Sequence, residues 1–358
     1  MSDFFEIDFL DVETKKSGDA ICIRYQQGDT VTIHVVDGGY QSTSDKIISH
    51  LDTHYGKDCI IDHVVVTHND GDHTGGLIKI LEERDVRNLW MLRPWIFADE
   101  LIQHFPTYSS VNYLRGRLRS AYGNLATLED IAIEREIPIR DAFRGTAIGA
   151  FRVMAPTKEL FLRMVTESEK TPVTAKDESL FSPIFKSLLE AASKLKSAIW
   201  GEEYFPKSGS SSENEMSIVQ YAYLNDRKIL LTGDTGRDGL AEAISYAPFI
   251  GLNLPGLDYF QVPHHGGRHN VNTEVLDALL GPRLAVQPAP GSGNFTTVIS
   301  SAKADEDHPR KSVVRAMIHR GGKVYTTEGQ GIQVNQNAPK REGWSSAPSE
   351  PYPTEQEE

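Results

Sequence analysis

The sequence predicts an α/β fold, and three observations carry the prediction. Two runs rich in β-branched residues, Ile21 to Tyr25 and Val31 to Val36, flank the turn Gln27-Gly28-Asp29 and read as a hairpin. Short apolar runs elsewhere end directly in polar, glycine-containing loops at His68, Gly233 and Pro263. Helical spacing of apolar residues follows such loops, as in Leu77, Ile80 and Leu81.

Taken in order, the hairpin closes on Asp37-Gly38-Gly39, and Ser44 to Tyr55 has the helical spacing Ile47, Ile48 and Leu51. Cys59 to Thr67 is a short, largely apolar run that reads as a buried strand. It delivers the chain into His68-Asn69-Asp70-Gly71-Asp72-His73-Thr74-Gly75-Gly76. Strand, polar loop and helix in that order place the loop at the carboxyl end of a sheet strand, where α/β sites are commonly built. Residues from about 89 to 156 alternate strand-like and helical stretches. A helical insertion is expected over about 157–212, carried by Leu160, Met164, Phe181, Phe185, Leu188, Leu189 and Leu195, and bordered by the flexible composition of Pro206 to Ser212. Further strands are expected at Met216 to Tyr223, Lys228 to Thr232, Tyr259 to Val262, Leu284 to Gln287, Lys323 to Thr326 and Gly331 to Val334. Residues 1–335 are thus read as one domain, and 336–358, rich in Pro, Ser and Glu, as a disordered acidic tail.

The 358 residues, 39% of them hydrophobic and 24% charged, have the composition of a globular protein. A net charge of -13 opposes indiscriminate adhesion to nucleic acid or an anionic membrane, so a polyanionic substrate needs a metal or a local basic patch. Cys22 and Cys59 form no C-x-x-C pair, which leaves neither a disulfide framework nor a thiolate zinc site in view. The start of the chain lacks a basic region followed by an apolar one, and no run reaches membrane-spanning length, so the expected location is cytoplasmic, with no membrane partner.

The placement of the twelve histidines is more informative than their number. His68 and His73 flank Asp70 and Asp72 in one loop, and hard or borderline donors that dense suit a metal. The plainer alternative is a loop whose Asp72 or Thr74 caps the next helix, but capping uses one acceptor and leaves both histidines without a role. Asp234 ends a buried strand, a position where aspartates often bind only their own backbone. The pair His264 and His265 follows another strand; side chains of neighbours on a turn diverge, so one suits a metal and the other a substrate or a supporting hydrogen bond. His308 lies in Asp305-Glu306-Asp307-His308-Pro309-Arg310 and reads either as a site residue or as a solvated loop histidine. Arg115, Arg117 and Arg119 read first as a solvated helix face, with substrate contact as the sharper alternative.

In chain order, Asp37-Gly38-Gly39, His68-x-Asp70-x-Asp72-His73 with Gly75-Gly76, Thr232-Gly233-Asp234, Pro263-His264-His265-Gly266 and His308-Pro309 resemble the metallo-β-lactamase-fold hydrolases. The arrangement is most similar to the ComEC-type branch, the hydrolase domain of bacterial DNA-uptake channels and its stand-alone relatives, which carries the aspartate at the place of Asp70. Gly18-Asp19-Ala20 and Val324-Tyr325-Thr326 add to the likeness, which covers roughly residues 5 to 335 outside the insertion. Two departures stand out. Glu13 to Ser17 interrupt the family's usual Asp-Val-Gly-Gln-Gly-Asp, and Ser301 to Asp307 replace its Asn-Tyr-Gly before His308.

The resemblance implies a four-layer αββα sandwich with two divalent ions, zinc as the simplest assignment and manganese as a rival favoured by the carboxylates. It places His68 and Asp70 on one ion, Asp72, His73 and a later histidine such as His264 on the other, and Asp234 with a hydroxide between them. Asp72 and the remaining members of His264, His265 and His308 would serve the chemistry, and Asp37 would orient a ligand. Zinc β-lactamases and glyoxalase-like thioesterases need a further ligand histidine between His73 and Asp234, and here that interval holds only His104, on an expected helix. Phosphodiester cleavage, which the ComEC-type resemblance implies, with nucleic acid or a nucleotide as substrate, is the leading expectation. Hydrolysis of a small ester, lactone or nucleotide is the second. A regulatory protein with a structural metal and a partner bound by the insertion is the third.

Overall fold

The structure is a computed structural model that describes residues 3–171 and 195–357. Phe181, Phe185, Leu188 and Leu189, on which part of the expected helical insertion rests, lie outside the described residues.

Two seven-stranded sheets form the body. The first runs β15 (Ile332–Gln336), β1 (Phe4–Phe9), β2 (Ala20–Gln27), β3 (Thr30–Gly38), β4 (His63–Val65), β5 (Leu89–Trp90) and β6 (Ile139–Arg140). The second runs β14 (Gly322–Thr326), β13 (Phe295–Ile299), β12 (Tyr259–Gln261), β11 (Arg227–Leu231), β10 (Val219–Leu224), β8 (Phe151–Ala155) and β7 (Ala147–Ile148).

Period-two alternation decides the layering. On β10 and β11, Ala222, Leu224, Ile229 and Leu231 join one apolar core with Phe5, Ile7 and Ile23 of the first sheet. The intervening Val219, Tyr221 and Leu230 join a second core with the helices Arg237–Tyr246, Thr273–Leu280 and Lys311–His319. The first sheet is covered in turn by Ile47, Leu77, Leu81, Leu114 and Leu128, which lie on helices of its own half. Helices, two sheets and helices again make the four-layer αββα sandwich.

Strands β3 to β6 pair in parallel, as do β11 to β14. Their carboxyl ends supply Asp37 as the next-to-last residue of β3, the His68 loop after β4, Asp234 after β11, His264 and His265 after β12, and Ser300 after β13. Backbone bonds stitch these loops together: Asp19 N donates to Asp72 O, Gly39 N to Asp19 O, Gly76 N to Gly39 O and His264 N to Gly233 O. The approach is close enough to require glycine at Gly76, where an added Cβ would stand 2.0 Å from the Gly38 carbonyl oxygen.

The hairpin, the helices after Ser44 and Gly76, and most of the later strands lie where the sequence puts them, while Cys59 to Thr67 contains only the three-residue β4. The expected strand Leu284 to Gln287 does not form. Leu284 and Val286 are exposed, Leu284 bonds Trp200 and His319 through its own carbonyl and N–H, and the slot between β12 and β14 goes to Phe295–Ile299. Strand β1 is a further addition, with Phe5 and Ile7 buried on one side and the carboxylates of Glu6 and Asp8 on the other. In the insertion, Lys158–Glu167 is helical with Leu160 and Met164 buried, whereas Leu195–Ser197 is a short strand.

The tail expected to be disordered is held along the body. Arg341 reaches the buried carboxylates of Asp8 and Glu6, β16 (Glu355–Glu357) pairs with β9 (Leu195–Ser197), and Glu357 accepts from Lys311 N and Ser312 N. Composition misleads here because the anchors are single side chains among Pro and Ser. No helix among the described residues is long and apolar enough to cross a membrane.

Candidate metal centre

Three buried rings present the same nitrogen to one point. His73 Nδ1 lies 2.8 Å from Asp37 Oδ2, His265 Nδ1 lies 2.9 Å from the carbonyl of Ser300, and His68 Nδ1 lies 3.0 Å from Thr67 Oγ1. Thr67 Oγ1 in turn donates to Asp37 Oδ2 at 2.6 Å, so its lone pairs accept from His68. These partners place the proton on each Nδ1 and leave each Nε2 with a lone pair.

All three Nε2 atoms are buried without a hydrogen-bond partner, as are Asp234 Oδ1 and Asp19 Oδ1. Unpaired polar atoms in a protein interior cost free energy, and several at one point mark a missing partner. Their separations fit a cation. His73 Nε2 is 3.3 Å from Asp234 Oδ1 and 3.9 Å from Asp72 Oδ2, and His265 Nε2 is 3.4 Å from Asp72 Oδ2 and 3.8 Å from Asp234 Oδ2. Donors bound tetrahedrally at about 2.0–2.2 Å stand roughly 3.3–3.6 Å apart. Ligand atoms of His68, His73 and Asp234, of Asp72, His73 and His265, and of Asp19, Asp234 and His265 each lie within 4.8 Å of one another.

The electrostatics agree. Burial alone would raise the pKa of Asp234, but the charges of His73, His264 and His265 outweigh it and hold the carboxyl well below its usual range. Burial works against a charged His265, yet Asp234, Asp72 and Asp19 push its pKa up to about 9. The carboxylates call for positive charge at this point, and protons on the rings supply it when a cation does not.

The alternative in which Asp72 or Thr74 caps the next helix is not realised: Leu77–Glu83 starts from Gly76, and Asp70 at the N-cap of Gly71–Thr74 makes no side-chain capping bond. Asp70 stands at the edge of the cluster, its Oδ2 3.8 Å from His68 Nε2 and its Oδ1 2.5 Å from Lys170 Nζ. Of the adjacent histidines, His265 rather than His264 enters the ligand clusters. His264 is 30% exposed, with Nδ1 3.1 Å from Asp234 Oδ2 and beside the amide of Asn214. His308 is drawn in as well, its ring centroid 5.4 Å from that of His264 and 6.0 Å from that of His265, and its Nδ1 3.3 Å from Asp305 Oδ2. Asp37, His264 and His265 all have positive φ, a conformation that non-glycine residues keep only where surrounding structure enforces it.

Sequence reasoning missed Asp19 as a site residue, along with Asn214, Lys170 and Gln261, whose Nε2 donates to Asp19 Oδ2 at 3.0 Å. Asp19 had one signal, its place in the Gly18-Asp19-Ala20 of the family likeness, to which no ligand role was attached; the others stand in stretches without a motif. His104 is exposed on a short 3-10 helix, and Arg115 and Arg119 are paired with Asp99 and with Glu129 and Asp130, as expected of a solvated face.

Residues 17–98 match the family model described as the metallo-β-lactamase superfamily. Among solved structures, the hydrolase AbOPH of the β-lactamase superfamily is 10% identical with a TM-score of 0.31, over 60% of this chain and 56% of its own, so the chain spans little more than half of that protein. Igni18, a metallo-hydrolase of the hyperthermophilic archaeon Ignicoccus hospitalis, is 12% identical with a TM-score of 0.40, over 93% of this chain and 99% of its own. A metallo-β-lactamase from Hirschia baltica is 12% identical with a TM-score of 0.29, over 70% and 83%. No curated protein sequence matches the chain.

Proposed function

We propose that this protein is a metal-dependent hydrolase that cleaves phosphodiester bonds at a pair of divalent cations, in the manner of the ComEC-type enzymes its motifs resemble. The supporting observation is the convergence of unpartnered, buried His68 Nε2, His73 Nε2, His265 Nε2, Asp234 Oδ1 and Asp19 Oδ1. His68, Asp70 and Asp234 would hold one ion, and Asp72, His73, His265 and Asp234 the other. Ions bound there supply Lewis acidity and a water acidified to a pKa of about 7. Zinc suits the three imidazoles, and manganese the carboxylates.

The chain's own groups do the rest. Asp37, Thr67 and the Ser300 carbonyl fix the rings so that only Nε2 faces inward. His264 Nδ1 stands beside the Asn214 amide and 3.1 Å from Asp234 Oδ2, contacts that fix the ring so that a proton on its Nε2 would be offered to the leaving oxygen. Burial lowers the pKa of His308 against the opposing pull of Asp305, so its ring is neutral near pH 7 with Nε2 able to accept a proton. The apolar space that reaches His68, between Val66, Leu92, Tyr122, Phe161 and Met216, amounts to about 10 Å³, room for one water.

The test is metal-loaded protein assayed on bis-p-nitrophenyl phosphate, single-stranded DNA, RNA, a lactone and a β-lactam, beside Asp72→Ala. Turnover of the phosphodiesters, lost in a variant with an unchanged circular dichroism spectrum, is the expected result. Turnover of the lactone or β-lactam alone overturns the substrate class, and loss of folding in Asp72→Ala with no turnover of any substrate by the parent protein would make the metal structural.

A further inference from the structure

We propose that Lys170 competes with one of the two cations, so that the centre combines one tightly held ion with one that exchanges readily. The inference rests on the reading of the centre as a two-cation site, and it concerns the ions rather than the substrate.

The two halves of the centre are unequal. Asp72, His73, His265 and Asp234 bring four donors from buried or half-buried side chains to the first position, where each histidine Nε2 lies 3.3 to 3.9 Å from an oxygen of both carboxylates. Around the second, His68 Nε2 faces Asp70 Oδ2 and Asp234 Oδ2, each at 3.8 Å. Among the described residues the one further histidine clustered with His68 and Asp234 is His73, which also faces Asp72 and His265 at the first position. The other oxygen of Asp70 is 2.5 Å from Lys170 Nζ. An ammonium has three donors and no lone pair, so it cannot join the ligand set; it occupies a carboxylate oxygen and adds like charge beside an incoming dication.

Lys170 is also placed, rather than adrift on the surface. Helix Lys158–Glu167 ends at Ser168, which is 3% exposed; its hydroxyl donates to Glu213 Oε1 and accepts from Lys170 N at 3.1 Å. On the other side Thr171, 2% exposed, meets the Tyr122 hydroxyl at 3.2 Å. Two buried anchors one and two residues away thus aim the ammonium at Asp70. Pinning a flexible side chain in this way reduces the entropy lost in forming the pair.

The test is equilibrium dialysis of metal-free full-length protein against Mn2+ and, separately, Zn2+, with bound metal measured by elemental analysis. The parent protein, Lys170→Met and Lys170→Arg are compared. Methionine keeps the length of the stem without its charge, and the residue is about a third exposed, so the fold is retained. The expected result is two binding constants in the parent, with the weaker strengthened at least tenfold in Lys170→Met, the tighter unchanged, and Lys170→Arg like the parent. Equal constants in all three proteins overturn the proposal, as does weaker binding in Lys170→Met. If Lys170 instead holds an anionic substrate, Lys170→Met leaves both constants alone and raises KM for bis-p-nitrophenyl phosphate, which also overturns it. Binding of no ion by any of the three removes the two-cation reading along with it.

Discussion

Asp37 accepts from Thr67 N at 2.8 Å, Thr67 Oγ1 at 2.6 Å and His73 Nδ1 at 2.8 Å, and through them it orients two of the three rings. In Asp37→Asn an amide N–H faces a donor on at least one side, because a carboxamide has one acceptor oxygen where the carboxylate has two. Metal affinity is expected to fall about 10- to 100-fold, as for other residues that hold a ligand in place, read by competition with a chromophoric chelator. Unchanged affinity would mean that His73 is oriented by its packing alone. The neighbouring histidines separate by role. His265→Ala is expected to lose bound metal, whereas His264→Ala keeps it and slows turnover by about 10²- to 10⁴-fold, the range for a proton donor. Metal content and kcat measured on both variants decide this, and loss of metal from His264→Ala would exchange their assignments.

At the scale of elements, the centre depends on two glycine turns packed against each other. Gly76 has an ordinary helical backbone, so the cost of Gly76→Ala is steric: its Cβ would stand 2.0 Å from Gly38 O and 3.0 Å from Gly38 C. Backbone must move, and a loss of about 2–4 kcal/mol is expected, as for overpacking that cannot relax cheaply. Urea unfolding checks the magnitude, and a loss below about 0.5 kcal/mol would show that the turns separate easily. This element was legible in the sequence because strand, ligand-rich loop and helix stand contiguous from Val64 to Leu81. The hairpin was legible through β-branched runs on either side of Gly28. Local pattern could not rank Leu284 to Gln287 below Phe295 to Ile299. Both read as apolar runs, and the choice between them is made by pairing with β12 and β14. Lys170, Asn214 and Asp19 were hidden for a related reason. Each reaches the centre from a remote stretch, and only Asp19 has even a glycine before it to mark it.

Across the whole molecule, the return of the chain from the insertion, the helix after His308 and the tail are joined at one place. Glu203 bonds His319 Nδ1 at 3.0 Å, Arg320 and the Thr273 hydroxyl, and Tyr352 reaches His319 Nε2 at 3.0 Å. Arg315 holds the carbonyls of Ile199 and Pro353, and Glu357 caps the helix Lys311–His319 that follows His308. Deleting residues 337–358 is therefore expected to lower stability by several kcal/mol, since it strands the buried carboxylates of Glu6 and Asp8 without Arg341 and uncaps that helix. A disordered tail would be removed without effect, and an unchanged melting temperature would restore that view.

The same junction makes a prediction for acid. Burial would raise the Glu203 pKa, but His319 and Arg320 outweigh it and hold the carboxyl at about 2, against 4.5 when unfolded. A depressed carboxyl binds fewer protons folded than unfolded, so its contribution is complete above about pH 4.5 and is lost as pH falls toward 2. The side chain is 1% exposed, and the shift corresponds to about 3 kcal/mol. His319 acts in the same direction at higher pH. Burial lowers its pKa from 6.5 despite Glu203, so the unfolded chain takes up the proton first and stability declines below about pH 6.5. Total acid lability does not isolate Glu203 in a chain with 50 acidic residues, but comparison with Glu203→Gln does. The stability difference between parent and variant, from urea midpoints at pH 7, 5, 4 and 3, is expected to hold steady down to about pH 5 and then shrink. A difference constant to pH 3 would mean that Glu203 contributes by shape and hydrogen bonding, with no part played by its charge.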